Sequence, residues 1–286
     1  MSVHGVLNYL SPLDKWEEIK PYEISGRVAP GQPKNNFEFT PHDVIIHDAR
    51  QSPLLNNLEE NGFEWATHVT EESLETETSI SKHIKEMEAF IKQHLRADMV
   101  KTFQYQIRKR VFDVQDPRVR PPSNFVHVGE YMSLRRYGHS AHGMIDVSRA
   151  GAEARIRFSF PDEAERILDG RYRLLSLWRP LFSPLEDYPL AVCDANSVED
   201  SDLVESDYIY PNFESESLLV KQSERHKWFY LPGQNKDELL IITNYDSRTQ
   251  QCVPHCGFEL PKSAKSVRLR ESIEIKVVVF NKTENQ

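Results

Sequence analysis

The sequence has 286 residues, of which 39% are hydrophobic and 28% are charged, a balance typical of a folded enzyme and not of a disordered chain. Its 44 acidic and 35 basic residues give a formal net charge of −9, which argues against broad binding to nucleic acid or anionic membranes. No apolar run reaches the roughly 20 residues of a membrane span, and the first residues lack the pattern of a secretory leader. We therefore expect a cytoplasmic protein that acts on a small molecule.

The first forty residues are rich in proline, glycine and asparagine, most densely in the stretch Pro30–Asn36. These residue types favour turns and irregular backbone. The sequence therefore predicts an irregular arm over residues 1–40, laid on a single domain that comprises the whole chain, 1–286. The β-branched run Val44–Ile46 predicts a first buried strand after this arm.

Two helices are indicated before residue 172. Ser79 is suited to cap a helix whose apolar residues recur every three or four positions, at Ile80, Ile84, Met87, Phe90, Ile91 and Leu95. This spacing predicts an amphipathic helix that packs one face on a sheet. A second, short helix is expected to begin near Pro161 and to end at Gly170.

From residue 172 onward, short β-rich runs follow one another with turns and no helix between them. The predicted strands are Tyr172–Trp178, Leu190–Cys193, Ser217–Val220, Lys227–Leu231, Glu238–Thr243, Val253–Leu260 and Ile273–Phe280. Strands at this spacing are typical of an antiparallel barrel or jelly roll. The predicted fold class is α+β, mainly β: a double-stranded β-helix core, jelly-roll or cupin-like, with buttressing helices.

One group of residues in the last third of the chain could carry chemistry. His255 lies on a predicted strand, and Arg270 and Ser272 follow on the last strand. An imidazole can bind iron, while a guanidinium and a hydroxyl can hold a carboxylate of a co-substrate. On spacing alone, an interior histidine and a surface arginine explain the same pattern.

Motifs along nearly the whole chain extend this pattern. The chain resembles a fungal family of non-heme iron, 2-oxoglutarate-dependent oxygenases that includes relatives of the gibberellin desaturase, cephalosporin 7-methoxylase components and aspergillic acid-type hydroxylase/desaturases. The matching residues are Leu7-Asn-Tyr-Leu10, Lys20-Pro-Tyr22, Ile46-His-Asp-Ala-Arg50, Asn61-Gly-Phe63, Pro161-Asp-Glu-Ala164, Trp178-Arg-Pro-Leu181, Pro189-Leu-Ala-Val-Cys-Asp194, Trp228-Phe-Tyr230, Tyr245-Asp-Ser247, Pro254-His255 and Arg270-Glu-Ser-Ile-Glu274.

The resemblance implies an Fe(II) site of two histidines and one carboxylate, with 2-oxoglutarate as co-substrate. It assigns the carboxylate to Asp146, the distal histidine to His255, and the 2-oxoglutarate anchor to Arg270 with help from Ser272. The family pattern is histidine, any residue, aspartate, but position 144 here is methionine. Because a thioether is a poor iron ligand beside nitrogen and oxygen donors, Met144 departs from the family at a ligand position.

His142 is the nearest replacement for the missing histidine. Along a strand, positions i and i+2 lie about 6.6 Å apart on one face, whereas His142 and Asp146, at i and i+4, would lie about 13 Å apart. Bonds of about 2 Å to a metal cannot close that gap without a bend. Gly143 makes such a bend feasible, because glycine accepts the backbone angles of a bulge.

The sequence is consistent with several functions. The lead is a secondary-metabolite tailoring enzyme that hydroxylates or desaturates a small natural-product intermediate, with iron bound through His142 or bound weakly without it. The first alternative is a metal-independent isomerase, dehydratase or cyclase that uses Asp146 and His255 as acid and base, with no cofactor. His139 and His127 are further candidates for that role. Another alternative is a non-catalytic subunit of a homo- or hetero-oligomer.

Two other clusters of residues are also candidate functional sites. Trp178, Arg179 and Tyr230 lie on predicted strands and could line a substrate pocket together with Met144, although core packing explains the aromatic residues equally well. Cys252 and Cys256 flank His255, but structural zinc sites need four ligands, and no further cysteine or histidine pair is nearby. The sequence therefore does not favour zinc.

Overall fold

The computed structural model describes residues 2–24, 27–52, 55–70, 74, 76–110, 119–128, 148–210, 213–260 and 268–282. Fifteen strands and four helices are defined within these residues. In chain order they are β1 (Val3–Leu10), β2 (Tyr22–Ile24), β3 (Phe39–Asp48), α1 (Leu58–Asn61), β4 (Phe63–Thr67), α2 (Glu77–His94), β5 (Met99–Lys109), β6 (Val119–Arg120), β7 (His127–Val128), α3 (Arg149–Ser159), α4 (Ala164–Leu168), β8 (Arg171–Pro180), β9 (Leu190–Cys193), β10 (Leu203–Tyr210), β11 (Phe213–Val220), β12 (Trp228–Tyr230), β13 (Glu238–Asp246), β14 (His255–Gly257) and β15 (Glu271–Asn281).

These strands form two sheets that face each other. In the described residues, the larger sheet has the order β1-β3-β12-β9-β14-β7-β11-β10-β2, and the smaller one β4-β13-β8-β15-β5-β6. A shared apolar cluster joins the two sheets, with Val192 and Phe229 from the larger sheet against Trp178 and Leu240 from the smaller one. This is the jelly-roll core with buttressing helices that the sequence predicts.

The long helix α2 covers the outer face of the smaller sheet. Its Met87 and Ile91 are fully buried among aliphatic residues of β8, β13 and β15. The helix begins three residues earlier than predicted, because the cap is Thr76, whose hydroxyl accepts the Ser79 backbone N–H in a capping box. The second predicted helix is α4, which begins at Ala164, after Pro161.

The first forty residues differ from the irregular arm that their composition suggests. Strand β1 pairs antiparallel with β3 over its whole length, and β2 pairs parallel with β10. Leu7 and Tyr9 point into the core and are fully buried. The prediction was wrong here because the turn-forming residues cluster after residue 24, while β1 alternates buried and exposed side chains.

The two longest elements that were not predicted are β5 and α3; the others are β1, β2, α1, β4, β6, β7 and β10. Strand β5 lies between β15 and β6 in the smaller sheet, and α3 packs against the end of that sheet. Among the described residues, no helix is both long enough and apolar enough to cross a membrane.

We expect Gly62→Ala to destabilise the fold more than Gly31→Ala. Both glycines have positive φ, +79° and +85°, so both substitutions add backbone strain of about 1–2 kcal/mol. At Gly62 the new Cβ would also lie 2.4 Å from Val253 Cγ2, whereas nothing lies within 4 Å at Gly31. Overpacking adds about 1–3 kcal/mol at the first site alone. Urea unfolding of both variants measures the difference, and equal losses would contradict this account.

Candidate active site

Two buried histidines lie opposite each other on neighbouring strands. His127 of β7 and His255 of β14 are paired residues of an antiparallel bridge, and their ring centroids are 5.0 Å apart. They are 3% and 5% exposed, and both line one cavity between the sheets. Since paired residues in such a ladder project from the same face, the short strands bring two imidazoles to one point.

Hydrogen bonds fix the same tautomer in both rings. His127 Nδ1 lies 2.8 Å from the carbonyl oxygen of Phe125, and His255 Nδ1 lies 2.9 Å from that of Val253. A carbonyl oxygen can only accept, so each Nδ1 donates and each neutral ring keeps its lone pair on Nε2. Burial lowers the pKa of His255, and burial together with the neighbouring His255 lowers the pKa of His127 well below its usual value. Both rings are therefore neutral near pH 7, the state that binds metals.

Arg270, the residue just before β15, borders the same cavity, and Ser272 of β15 contacts its side chain. The guanidinium is 2% exposed, its Nε donates to Ser272 Oγ at 3.2 Å, and it lies over the ring of Trp178 at 5.0 Å. Burial, followed by the effect of Arg108, lowers the pKa of Arg270 to about 9, which leaves it charged near neutral pH. A buried cation beside two neutral imidazoles is suited to hold a carboxylate.

A buried ion pair continues along the inner face of β15. Glu274 accepts a hydrogen bond from Ser176 Oγ at 2.7 Å, and Lys276 Nζ lies 3.6 Å from its carboxylate. Although burial opposes ionisation of Glu274, Lys276 and Arg108 outweigh it and lower its pKa to about 2. Burial lowers the pKa of Lys276 to about 7. The interior of the barrel is therefore charged on this side and apolar around Trp178.

Among the described residues, the cavity contains two histidines that could bind a metal. No group of three histidine, cysteine, aspartate or glutamate side chains in this part of the chain is arranged to hold a metal. Glu274 lines the cavity but is engaged by Ser176 and Lys276. The predicted ligands Asp146 and His142, with Met144 and His139, lie outside the described residues.

The residues that were predicted to bind substrate lie in different environments. Trp178 lines the cavity. Arg179 lies on the opposite face of β8, under α2, where its Nη2 contacts His68 Nδ1 at 2.9 Å. Tyr230 packs against Phe258 in the core of the larger sheet, away from the residues that line the cavity.

The cysteines also belong to that core. Cys193, Cys252 and Cys256 are free and buried, and burial raises the pKa of Cys252 to about 12. The three thiols therefore pack as small apolar side chains.

His127 lines this cavity, although the sequence suggested it only as a further candidate acid or base. A sequence signal for its strand is present, since Val126 and Val128 flank it in a short β-branched run after Pro121 and Pro122. His127 precedes Asp146 by nineteen positions, 146 minus 127, so the two residues do not have the spacing of the family's ligand pattern.

The chain is similar to known proteins over most of its length. The family described as oxidoreductase/YMDC permease-like domain matches residues 7–280. The Fe(II)/2-oxoglutarate-dependent dioxygenase nvfI of Aspergillus novofumigatus is 30% identical over 274 residues, which cover 90% of this chain and 91% of that protein. The hydroxylase/desaturase efuI of Hormonema carpetanum is 27% identical over 262 residues, 85% of each chain.

A solved structure agrees over almost the whole chain. The iron and alpha-ketoglutarate-dependent endoperoxidase NvfI superposes with a TM-score of 0.83 at 27% sequence identity, covering 98% of both chains. The chain therefore belongs to this oxidoreductase family and is an enzyme of the fungal Fe(II)/2-oxoglutarate-dependent oxygenase class that its sequence resembles.

Proposed function

We propose that this enzyme binds Fe(II) through His127, His255 and Asp146 and uses 2-oxoglutarate to hydroxylate or desaturate a small natural-product intermediate in the cytoplasm. The observation that carries this proposal is the pair of opposed, neutral imidazoles in a cavity that also contains Arg270. The relatives named as dioxygenase and as hydroxylase/desaturase support the reaction class.

The donor set fits ferrous iron. Two imidazoles with Nε2 available and one carboxylate form the facial arrangement of non-heme iron oxygenases, which leaves positions open for a chelating co-substrate and oxygen. The bonds from each Nδ1 to a backbone carbonyl are the outer contacts that orient metal-binding histidines. Neutral imidazoles need not lose a proton before they bind the metal.

The third ligand, Asp146, is proposed from spacing. Residues 129–145 separate His127-Val128 from Asp146-Val147. Without them the chain would read His-Val-Asp-Val, with histidine and aspartate at i and i+2, about 6.6 Å apart on one face of a strand. We propose that residues 129–145 are an insertion into the family's ligand motif, and that His127, in place of His142 or Met144, is its histidine.

Arg270 serves the co-substrate in this proposal. Its guanidinium can bind the distal carboxylate of 2-oxoglutarate through two parallel hydrogen bonds, while the histidines line the same cavity. Trp178 covers the guanidinium and excludes water, which strengthens the charge pairing. Ser272 accepts from Nε and the Tyr188 carbonyl accepts one N–H of Nη1, so that Nη2 and the second N–H of Nη1 can face a ligand.

Iron together with 2-oxoglutarate supplies, when bound, an oxidant strong enough to take hydrogen from carbon, with release of succinate and carbon dioxide. The residues of this chain bind and orient: the histidines hold the metal, Arg270 holds the distal carboxylate, and Trp178 and Leu190 wall the cavity. A dry, shaped cavity protects a reactive centre from side reactions with water.

We expect His127→Ala and His255→Ala to abolish tight Fe(II) binding equally. Loss of even an outer partner of a metal ligand costs about 10–100-fold in affinity, so loss of a ligand should cost at least that. Anaerobic titration with Fe(II), followed by succinate release with 2-oxoglutarate, measures both steps. The matched control is His47→Ala, which removes an exposed histidine of β3.

Other outcomes separate the alternatives. Tight Fe(II) binding by His127→Ala would contradict the ligand assignment. Turnover of a substrate with a chelator present would favour a metal-independent isomerase, dehydratase or cyclase. Absence of turnover together with stable association with an active homologue would favour a non-catalytic subunit.

We expect a shortened chain without residues 129–145 to bind Fe(II) about tenfold or more tightly than the full chain, because it joins His127 and Asp146 in one strand motif. The same deletion with Asp146→Asn is the control and should lose the gain. A shortened chain that folds normally by circular dichroism and binds no more tightly would refute the insertion. A transcript that lacks the codons for residues 129–145 keeps its reading frame. Sequencing of the transcript across codons 127–147 therefore shows whether the cell also makes the shorter chain.

A further inference from the structure

The turn that precedes β9 contacts Arg270 at two places. Asp187 accepts the backbone N–H of Arg270 at 2.8 Å with one carboxylate oxygen, and its other oxygen accepts a bond from Arg110. The carbonyl oxygen of the next residue, Tyr188, accepts Arg270 Nη1 at 3.0 Å. One dipeptide therefore holds both the backbone and the side chain of the same arginine.

The backbone at Tyr188 is strained. Its φ is +49°, a left-handed conformation that residues with a side chain rarely adopt. In this conformation the carbonyl meets Arg270, and the Tyr188 ring lies under the guanidinium of Arg110 at 4.9 Å. Strain of this kind persists where surrounding contacts enforce it, and it clusters at binding sites.

A glycine on strand β14 leaves space for this turn. A Cβ at Gly257 would lie 2.6 Å from Tyr188 Cε1 and 3.0 Å from Arg270 Nη1. Gly257 is two residues from His255 on β14. The strand that carries the histidine therefore packs directly against the turn that holds the arginine.

The contacts of the Arg270 guanidinium leave its charge available. Among the described residues, its hydrogen-bond acceptors are a hydroxyl and a carbonyl, and its face lies on an indole. The carboxylate of Asp187 binds the backbone N–H instead of the guanidinium. A structural arginine in a buried ion pair would have a carboxylate on its nitrogens, as Arg171 has from Asp246.

We propose that Asp187 and Tyr188 are positioning residues that orient Arg270 toward the cavity, with its charge reserved for the distal carboxylate of the co-substrate. This inference rests on the proposed function, in which Arg270 binds 2-oxoglutarate. Asp187 fixes where β15 begins, and Tyr188 fixes the direction of the guanidinium. Arg110 holds Asp187 from the side of β5.

Binding measurements with two keto acids test this role. Pyruvate has the keto acid end of 2-oxoglutarate but lacks the distal carboxylate. We expect Asp187→Ala to weaken 2-oxoglutarate binding to the anaerobic Fe(II) enzyme by about tenfold or more, as outer partners of ligands typically do. Fe(II) and pyruvate binding should stay within about twofold, and Asp187→Asn, which keeps an acceptor for the backbone N–H, should lose less. Calorimetric titration gives all three affinities.

Tyr188→Gly separates positioning from folding. Glycine adopts the left-handed conformation without strain, which offsets part of the cost of the lost ring contacts, so this variant should still unfold cooperatively in urea. It should bind 2-oxoglutarate severalfold more weakly, because the carbonyl is no longer held in place. The control for general damage is Asp202→Ala, which removes a buried carboxylate paired with Arg225 just before β10.

The outcomes of these measurements distinguish a failure of the positioning role from a failure of the proposed function. Parallel losses for 2-oxoglutarate and pyruvate, or unchanged 2-oxoglutarate binding in both Asp187→Ala and Tyr188→Gly, would overturn the positioning role while leaving the proposed function intact. If the native chain, with iron bound, does not bind 2-oxoglutarate at all, the proposed function fails and this inference fails with it.

Discussion

The site depends on the register of two very short strands. β7 has two residues and β14 has three, and their shared pair is His127 with His255. Because side chains alternate across a sheet, a slip of one residue would turn one of these imidazoles to the opposite face. The register is held by β9 and β11, which pair with β14 and β7 on their other sides.

Buried charged side chains lie together on one side of the barrel interior. Arg270, just before β15, and Ser272, Glu274 and Lys276 on this strand lie at alternating positions, and β5 adds Arg108. Burial of one charge without a partner costs several kcal/mol, and Glu274 between its cations reduces that cost. Trp178 and Leu190, which belong to an apolar cluster, line the same cavity as Arg270 and Glu274. The cavity therefore has both charged and apolar lining residues.

The sequence predicted most of the β-structure after residue 172, because those strands are continuous apolar runs bounded by turns. It missed β5, whose buried side chains include Gln104, Gln106 and Arg108, so that neither an apolar run nor an apolar alternation marks it. It identified the cavity residues His255 and Arg270 as one group and Trp178 as a member of a separate candidate cluster. The pairing of His127 with His255 joins residues 128 positions apart, 255 minus 127, and no local pattern encodes such a contact.

Two neighbouring arginines show why burial alone does not identify a binding residue. Arg179 and Arg270 are each about 98–99% buried and meet neutral partners, and burial lowers the pKa of both. Alternation along β8 allows only one of Trp178 and Arg179 to face the inside of the barrel, and that residue is Trp178. Arg179 packs under α2 against His68 and Met87, and it lines none of the cavities found among the described residues. The two arginines therefore differ in position, because only Arg270 borders the cavity that contains both histidines. The face of the sheet on which a cation lies decides whether it can bind a ligand.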